Sequence, residues 1–195
     1  MDGLYALKPW YAARLTPLRE RLVAAKVSPS AVSVAGVAFA AGAAAALVTL
    51  PTGLLSGCAV AALLAARLAC ANLDGGIART RGRSTPHGAV VNELSDRAAD
   101  LIVIAACAAV APVALVIAAA FCASMPSLVS MVGVSAGLPR RQGGPVGKTE
   151  RAALVVVIAA LGGAVPVLLT IAVGSLGTAA VRLVWVRREL AGGAR

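Results

Sequence analysis

The sequence predicts an all-α integral membrane protein, with an N-terminal interfacial amphipathic helix followed by six transmembrane helices. Of its 195 residues, 59% are hydrophobic and 13% are charged, and 18 Lys and Arg against 8 Asp and Glu give a net charge of +10. A soluble domain carries about 25% charged residues, and a nucleic-acid-binding protein spreads its basic charge over a polar surface. High hydrophobicity also excludes disorder. The composition favours one compact membrane domain without a nucleic-acid partner.

The first 27 residues are expected to form an amphipathic helix in the membrane interface. Basic residues alternate there with Leu, Trp and Tyr at roughly helical spacing, namely Lys8, Arg14, Arg19, Arg21 and Lys26. This pattern is typical of an interfacial helix and differs from a cleaved signal peptide. A soluble helix packed on the membrane domain is the alternative. We therefore divide the chain into an interfacial segment, 1–27, and a single membrane domain, 28–195.

Apolar runs of about 20 residues, the length that crosses a hydrocarbon core of about 30 Å, define the transmembrane helices. The first four are predicted at 31–50, 54–73, 89–111 and 113–136. The last two of these separate at Ala111-Pro112, because proline removes a helical donor and clashes with the preceding turn. The final stretch, 150–188, is either one tilted helix or two short helices divided at 162–166.

The positions of the basic residues decide the number of crossings. Lys and Arg are concentrated in the first 26 residues, in 79–83, in 140–151 and in 182–195, whereas the connections near residues 51, 112 and 164 carry no charge. Under the positive-inside rule, six helices place every basic segment in the cytoplasm, but five would leave the Arg-rich tail outside. We expect six crossings of a bacterial cytoplasmic membrane, with both termini in the cytoplasm.

A GxxxG pattern at Gly133 and Gly137 offers a surface for close helix packing. Such patterns bring the backbones of transmembrane helices together and can join two copies of a chain. They are also frequent by chance. A homodimer through this pattern is therefore one prediction, and packing within the chain is the other.

Half of the acidic residues fall in one 27-residue window, namely Asp74, Glu93, Asp96 and Asp100. Asn92, Asp96 and Asp100 recur every four residues after Gly88, so a helix aligns them on one face, with Glu93 on its edge. Like charges on one face repel one another and call for a cation. A hard divalent ion with oxygen ligands, Mg²⁺ or Mn²⁺, suits this chemistry.

The alternative is that these acids lie at a solvated helix end and have no catalytic or metal-binding role. In that interpretation the carboxylates pair with Arg79, Arg81 or Arg83, because charged residues at helix ends are usually solvated. Asp74-Gly75 followed by Ala78-Arg79 argues against it, since small residues beside a carboxylate leave room for a bulky ligand.

These residues carry a resemblance to a known family. One stretch of the sequence resembles the signature of the CDP-alcohol phosphotransferases. It reads Asp74-Gly75-x-x-Ala78-Arg79, then eight residues and Gly88, three residues and Asn92, and three residues and Asp96. The likeness is most specific over 71–98 and extends loosely to 27–33 and to the six-helix layout. It implies a membrane enzyme that transfers a phosphatidyl-type group from a CDP-linked lipid, such as CDP-diacylglycerol, to a small alcohol, with release of CMP. Phospholipid biosynthesis is the implied setting.

The sequence departs from the family signature at two of its four aspartates. Ala71 and Asn92 stand at these positions, and only Asp74 and Asp96 match. The family's four carboxylates resemble a two-metal site, so losing two of them should weaken one metal position; the neighbouring Asn72 and Glu93 could partly compensate. A divergent branch of the family has Asn-Glu at this place and a Gly-Pro-x-x-Lys-x-x-Arg loop, which residues 144–151 resemble.

The resemblance and the charge pattern together imply a role for each candidate residue. The expected metal ligands are Asp74, Asp96 and Asn92. The expected CDP site is formed by Asp74, Gly75, Ala78, Arg79 and Gly88. The expected base is Asp96, or Asp100 or Glu93 if the metal engages Asp96. The expected site for a phosphate on the acceptor consists of Arg140, Arg141, Lys148 and Arg151, which favours glycerol phosphate or inositol phosphate.

Other functions stay open at this point. Any one of the four basic residues could instead attract anionic lipid head groups. A catalytically weak or inactive member that binds CDP-lipid would keep the fold while losing carboxylates, as Ala71 and Asn92 suggest. A small transporter would also place acids in a polar cavity, but these acids cluster at the cytoplasmic end and the helices show no inverted repeat.

Overall fold

The computed structural model describes residues 8–82 and 85–192, and every regular element in these ranges is a helix. Two short helices come first, α1 (Lys8–Arg14) and α2 (Thr16–Ala24). Six longer helices follow, α3 (Pro29–Thr49), α4 (Leu54–Thr80), α5 (Pro86–Ala106), α6 (Val113–Ser135), α7 (Lys148–Leu161) and α8 (Ala164–Gly192). A single 3₁₀ turn, Cys107–Ala109, continues α5.

Four of these helices are long and apolar enough to cross a membrane, namely α3, α4, α6 and α8. The protein is therefore an integral membrane protein. Helix α5 is interrupted by four charged residues, and α7 has 14 residues, which span only about 21 Å. These two helices differ from the others in length or charge rather than in their place in the bundle.

The N-terminal segment forms two helices where one was expected. Residues 1–7 of the predicted segment lie outside the described residues, and the helical path turns at Leu15, next to Pro17 in the first turn of α2. Arg81 at the end of α4 donates hydrogen bonds to the carbonyls of Val23 (2.9 Å) and Val27 (3.0 Å). Leucine and valine side chains of this segment also pack on a buried cluster of α3 and α4. The segment is thus attached to the body of the protein.

Tyr11 adds a second attachment on α1. Its hydroxyl donates to the carbonyl of Ala65 at 3.1 Å. Partial burial raises the pKa of Tyr11, so the hydroxyl keeps its proton and remains a donor at neutral pH.

Helix α4 is longer than the sequence predicted, because it continues past residue 73 to Thr80. Gly75 and Gly76 each disfavour a helix by about 1 kcal/mol, and this is the reason for the early predicted end. Burial offsets that cost, since Leu73 and Ile77 are 4% and 0% exposed. The first half of the signature motif, including Asp74, therefore lies on a rigid helix rather than in a loop.

The beginning of α5 and the later helix breaks follow from local chemistry. Thr85 caps α5 by accepting a hydrogen bond from the backbone of Gly88 at 3.0 Å, and Pro86 occupies the first turn, where its missing N–H costs nothing. The predicted break at Pro112 is confirmed. Residues 150–188 divide into two helices at Gly162 and Gly163, whose φ angles of +78° and +68° suit glycine.

Small residues bring the helices close together. Helix α3 packs on α4 and α5, α4 on α7, and α6 on α8. A Cβ on Gly57 of α4 would lie 2.6 Å from the Cβ of Ala160 on α7, and one on Gly133 would lie 3.1 Å from Val186 on α8. Gly133 is buried against α8 of the same chain. Gly137 lies after the end of α6, and an added Cβ there would meet no atom within 4 Å, so only the first glycine of the GxxxG pattern packs within the chain, and a homodimer stays a prediction.

The contact between Gly57 and Ala160 leads to a stability prediction. We expect Gly57→Ala to lower the free energy of unfolding by about 1 to 3 kcal/mol, because the added methyl group overpacks the α4–α7 contact. The matched control is Gly42→Ala in α3, where the nearest side-chain atom would be 3.5 Å from the new Cβ, so better helix propensity should leave stability equal or higher. Thermal unfolding in detergent measures both. Equal effects of the two substitutions would contradict this packing.

Candidate active site

A polar cavity of about 680 Å³ opens where the charged ends of the helices meet. It is lined by the start of α3, the end of α4, the start of α5, two residues of α6, the segment before α7, the first turn of α7 and one residue of α8. Its basic lining residues are Lys26, Arg79, Arg81, Arg97, Arg140, Lys148, Arg151 and Arg182, against the acidic residues Asp74, Asp96 and Glu150. An excess of cations in a concave site concentrates anionic ligands. The cavity therefore suits a ligand with several negative charges, such as a pyrophosphate.

Asp74 is a buried carboxylate at the centre of this cavity, with 3% of the residue exposed. One carboxylate oxygen accepts hydrogen bonds from Ser33 Oγ and from Asn92 Nδ2, both at 2.6 Å, and the other accepts from the backbone of Gly75. Within the described ranges, no Lys or Arg forms an ion pair with it. Buried carboxylates normally pair with a cation or coordinate a metal. Asp74 is thus open to a cationic ligand.

Asp96 and Asp100 differ from Asp74 because both are paired with cations. Arg67 of α4, which is 3% exposed, places Nη2 2.8 Å from Asp100 Oδ1 and 3.5 Å from Asp96 Oδ1. Lys148 Nζ lies 2.8 Å from Asp96 Oδ2, and Arg151 Nη2 donates to Asp100 Oδ2. These contacts join α4, α5 and α7 at the floor of the cavity.

Glu93 lies on the outer edge of the same charge network. It accepts a hydrogen bond from Arg140 and lies 3.5 Å from Arg97 Nε, while Arg97 Nη1 lies 3.6 Å from Asp100. The solvated alternative paired the acids with Arg79, Arg81 or Arg83. Arg79 and Arg81 make no such pairs among the described residues, and Arg83 lies outside those residues. Instead Arg79 Nη1 lies against Gly75, and Arg81 binds backbone carbonyls before α3.

The segment before α7 is held in place by α6 and α8. Thr178 Oγ1 accepts a hydrogen bond from the backbone of Val146 at 2.9 Å, and Gly174 makes room for the Val146 side chain. Arg182 donates to the carbonyls of Gly143 (3.0 Å) and Pro126 (2.8 Å). These contacts fix the direction in which α7 enters the bundle, and with it the positions of its first residues.

Most of the residues singled out in the sequence line the cavity, namely Asp74, Gly75, Ala78, Arg79, Gly88, Asn92, Asp96, Arg140, Lys148 and Arg151. Asp100 and Glu93 lie behind it in the charge network. Arg141 lies outside the lining and stacks on the ring of Trp185, 5.1 Å from its centroid.

Four functional side chains were missed by the sequence reasoning, namely Ser33, Arg67, Arg97 and Arg182. Arg67 carried a usable signal, because a lone charge inside an apolar run is costly and usually functional. Arg182 was assigned to the cytoplasmic tail, although it lines the cavity. Ser33 had no local signal, since only the packing of α3 on α4 brings its hydroxyl to Asp74.

The site is poor in carboxylates that could share a metal ion. Ala71, at the first signature position, presents a methyl group to the cavity, and Asn92 presents an amide. No group of three or more Asp, Glu, His or Cys side chains in 8–82 and 85–192 is arranged to hold a metal ion. Hard divalent ions are nevertheless often bound by one or two carboxylates together with substrate phosphates.

The fold and the site correspond to a family of membrane-bound transferases. The model of the CDP-alcohol phosphatidyltransferase family matches residues 26–187, which include α3 to α7 and most of α8. The chain belongs to this family.

Similar proteins are known at the level of sequence and of structure. The phosphatidylinositol phosphate synthase of Mycobacteroides abscessus is 34% identical over 96% of this chain and 89% of its own length. Crystal structures of the phosphatidylinositol phosphate synthase of Mycobacterium tuberculosis share the fold at 24% identity. The one with CDP-diacylglycerol bound has a TM-score of 0.68 and covers 88% of this chain and 92% of its own. The one with manganese and citrate has a TM-score of 0.68 and covers 88% of each chain.

The ion pairs around Arg67 lead to a second stability prediction. We expect Arg67→Met to lower the free energy of unfolding by about 3 kcal/mol or more, because Asp96 and Asp100 lose a buried partner. Asp100→Asn alone and together with Arg67→Met completes a double-mutant cycle, in which the coupling should reach about 1 to 3 kcal/mol. Unfolding in mixed micelles measures it, with Arg188→Met as the control for loss of an exposed charge. Additive effects of the two substitutions would show that the pair is not coupled.

Proposed function

We propose that the protein transfers the phosphatidyl group of a CDP-linked lipid, CDP-diacylglycerol being the first candidate, to a phosphorylated alcohol and releases CMP. The observation that carries this proposal is the basic cavity, in which Asp74 and Arg79 of α4 face Asn92 and Asp96 of α5. The name of the 34% identical relative supports inositol phosphate as the acceptor. Glycerol phosphate is the alternative acceptor.

The proposed architecture places this cavity at the cytoplasmic face of a bacterial membrane. In it, 28–195 form one domain whose six longer helices all cross or line the bilayer, and 1–27 lie in the interface. The distribution of Lys and Arg supports this orientation. A cytoplasmic cavity would meet water-soluble acceptors directly, while the lipid tails of the donor extend between the helices.

The nucleotide half of the donor is assigned to the end of α4. Gly75 and Ala78 present little side chain to the cavity, so a ligand can approach the helix closely, and Gly88 faces them from α5. Arg79 sits one turn after Gly75 and can place its guanidinium against a phosphate oxygen. This group would offset the negative charge that the departing CMP gains.

A divalent ion, Mg²⁺ or Mn²⁺, fits beside Asp74. The carboxylate is buried and forms no ion pair with a Lys or Arg in 8–82 and 85–192, and Asn92 can turn its amide to offer an oxygen instead of its NH₂ group. Asp96 is less available, because Lys148 and Arg67 already compensate its charge. When bound, the ion would neutralise charge on the pyrophosphate.

The reaction requires a base for the acceptor hydroxyl, and we assign it to Asp96. The hydroxyl oxygen forms a bond to the phosphorus of the phosphatidyl group, the bond from that phosphorus to the oxygen of CMP breaks, and the hydroxyl proton passes to the carboxylate. Asp96 lines the cavity, whereas Asp100 and Glu93 are behind it and are engaged by arginines.

The acceptor's phosphate is assigned to Arg140. Its side chain is 39% exposed and lines the cavity, and among the described residues it pairs with Glu93 at the rim. Arg151 is buried and bound to Asp100, and Arg141 stacks on Trp185, so these two suit structural roles and contact with lipid head groups better. This assignment explains a preference for phosphorylated over neutral alcohols.

Release of CMP from CDP-diacylglycerol by the purified protein tests the proposed reaction. With Mg²⁺ or Mn²⁺ and a panel of inositol phosphate, glycerol phosphate, inositol and glycerol, we expect CMP with a phosphorylated acceptor. The Asp96→Asn variant should release CMP about 10²- to 10⁴-fold more slowly, because it lacks the base, while it still binds the CDP-lipid. If no acceptor yields CMP above the Asp96→Asn level, transfer is excluded, and retained CDP-lipid binding would then identify a binding protein.

The assignment of Arg140 predicts an effect on the acceptor alone. Arg140→Gln should raise the KM for the phosphorylated acceptor about 10- to 100-fold, because one charge-assisted contact is lost, and should leave the KM for the CDP-lipid unchanged. Arg188→Gln, at an exposed position near the end of α8, is the matched control. A parallel rise in both KM values would place Arg140 outside the acceptor site.

A further inference from the structure

We propose that this protein works with a single divalent ion, beside Asp74, and that the ammonium group of Lys148 takes the place of a second ion beside Asp96. The proposal rests on the proposed transfer from a CDP-linked lipid. It concerns the two signature carboxylates that this chain lacks. It also assigns to Lys148 the role of binding the phosphate group that is transferred.

The proposal first follows from the charge of the residues at the four signature positions. Of the four signature positions, Ala71 offers no ligand and Asn92 is neutral, so only Asp74 and Asp96 carry charge. Two divalent ions would exceed these two carboxylates by two positive charges, even before Lys148 and Arg67 are counted. Bringing excess cations together in a partly buried site is unfavourable. When the two negative charges of the donor's pyrophosphate, Lys148 and Arg67 are all counted with the two carboxylates, one divalent ion neutralises the set, whereas two ions leave an excess of two positive charges.

The second step is the difference between the two carboxylates. Asp96 has a cation at each oxygen, with Lys148 Nζ at 2.8 Å from Oδ2 and Arg67 Nη2 at 3.5 Å from Oδ1. Within the part of the chain that the structure describes, Asp74 instead accepts hydrogen bonds from neutral donors, namely Ser33, Asn92 and the backbone of Gly75. An ion at Asp96 would have to displace Lys148, whereas an ion at Asp74 displaces no charge.

The third step is the way in which Lys148 is presented. It is the first residue of α7, where the backbone of Gly147 donates to Glu150 at 3.0 Å. Arg151, one turn later, is bound to Asp100, so residues one turn apart on α7 meet residues one turn apart on α5. The Lys148 side chain is 32% exposed toward the cavity. An ammonium group has three donors, so it can bind Asp96 and a phosphate oxygen together.

Counting bound Mn²⁺ tests the proposal without turnover. Free Mn²⁺ is measured by electron paramagnetic resonance while the full-length protein is titrated in detergent with CDP-diacylglycerol present and acceptor absent. We expect one tightly bound Mn²⁺ per chain, and none in Asp74→Asn. Two tightly bound ions per wild-type chain, or none, would overturn the proposal.

The role of Lys148 is tested by a charge series at that position. Lys148→Met should lower the rate of CMP release about 100-fold at saturating Mn²⁺, whereas Lys148→Arg, which keeps a cation, should recover at least a tenth of the wild-type rate. Arg188→Met is the control for loss of one exposed charge, and the thermal unfolding midpoint confirms that each variant is folded. A purely structural Lys148 would give a folded Lys148→Met variant with unchanged turnover, and that result would refute the assignment.

The two proposals fail in distinguishable ways. If the wild type binds one Mn²⁺ and CDP-diacylglycerol but releases no CMP with any acceptor, the proposed transfer is wrong. Lys148 is then assessed by binding alone, and Lys148→Met should weaken the affinity for CDP-diacylglycerol at least 10-fold. An unchanged affinity in that case would overturn the assignment of Lys148.

Discussion

The buried ion pairs of Arg67 with Asp96 and Asp100 are the interaction on which the rest of the structure depends. Arg67 lies within the apolar part of α4, where an unpaired guanidinium would be very costly. It therefore fixes the register of α5 against α4, and Arg151 fixes α7 against Asp100. Because charged hydrogen bonds are directional, a helix cannot slide or rotate by even one residue without leaving a buried charge unpaired.

The geometry of the cavity follows from this register. With Asp96 and Asp100 held on Arg67, the turn of α5 before them brings Asn92 to Asp74. The segment before α7 is fixed independently, by Thr178 and Arg182 of α8, and it delivers Lys148 to the same place. These two sets of contacts bring two different carboxylates to one basic cavity: Asp96 with two cations, and Asp74 with no Lys or Arg partner among the described residues. This difference in charge compensation between Asp74 and Asp96 is the main chemical feature of the site.

Local signals predicted the helices well wherever proline, glycine and apolar runs agreed. The break at Pro112 and the division at Gly162 and Gly163 are examples, because these residues restrict the backbone whatever surrounds them. The end of α4 was predicted too early, because the packing of Leu73 and Ile77 outweighs the poor helix propensity of Gly75 and Gly76. The candidate residues on α4 and α5 were found because carboxylates, glycines and an arginine recur at motif spacing.

Residue order alone is enough to establish the membrane class, most helix boundaries, the family resemblance and the loss of two carboxylates at Ala71 and Asn92. Which cation pairs with which acid was decided only by the tertiary structure. Arg67, Lys148 and Arg151 are 29 to 52 residues away from the acids that they bind. Because their side chains are long and flexible, no periodic pattern in the sequence indicates which acid each of them binds. The spacing of the acids shows that they need cations; only helix packing determines whether a metal ion, a lysine or an arginine supplies the charge.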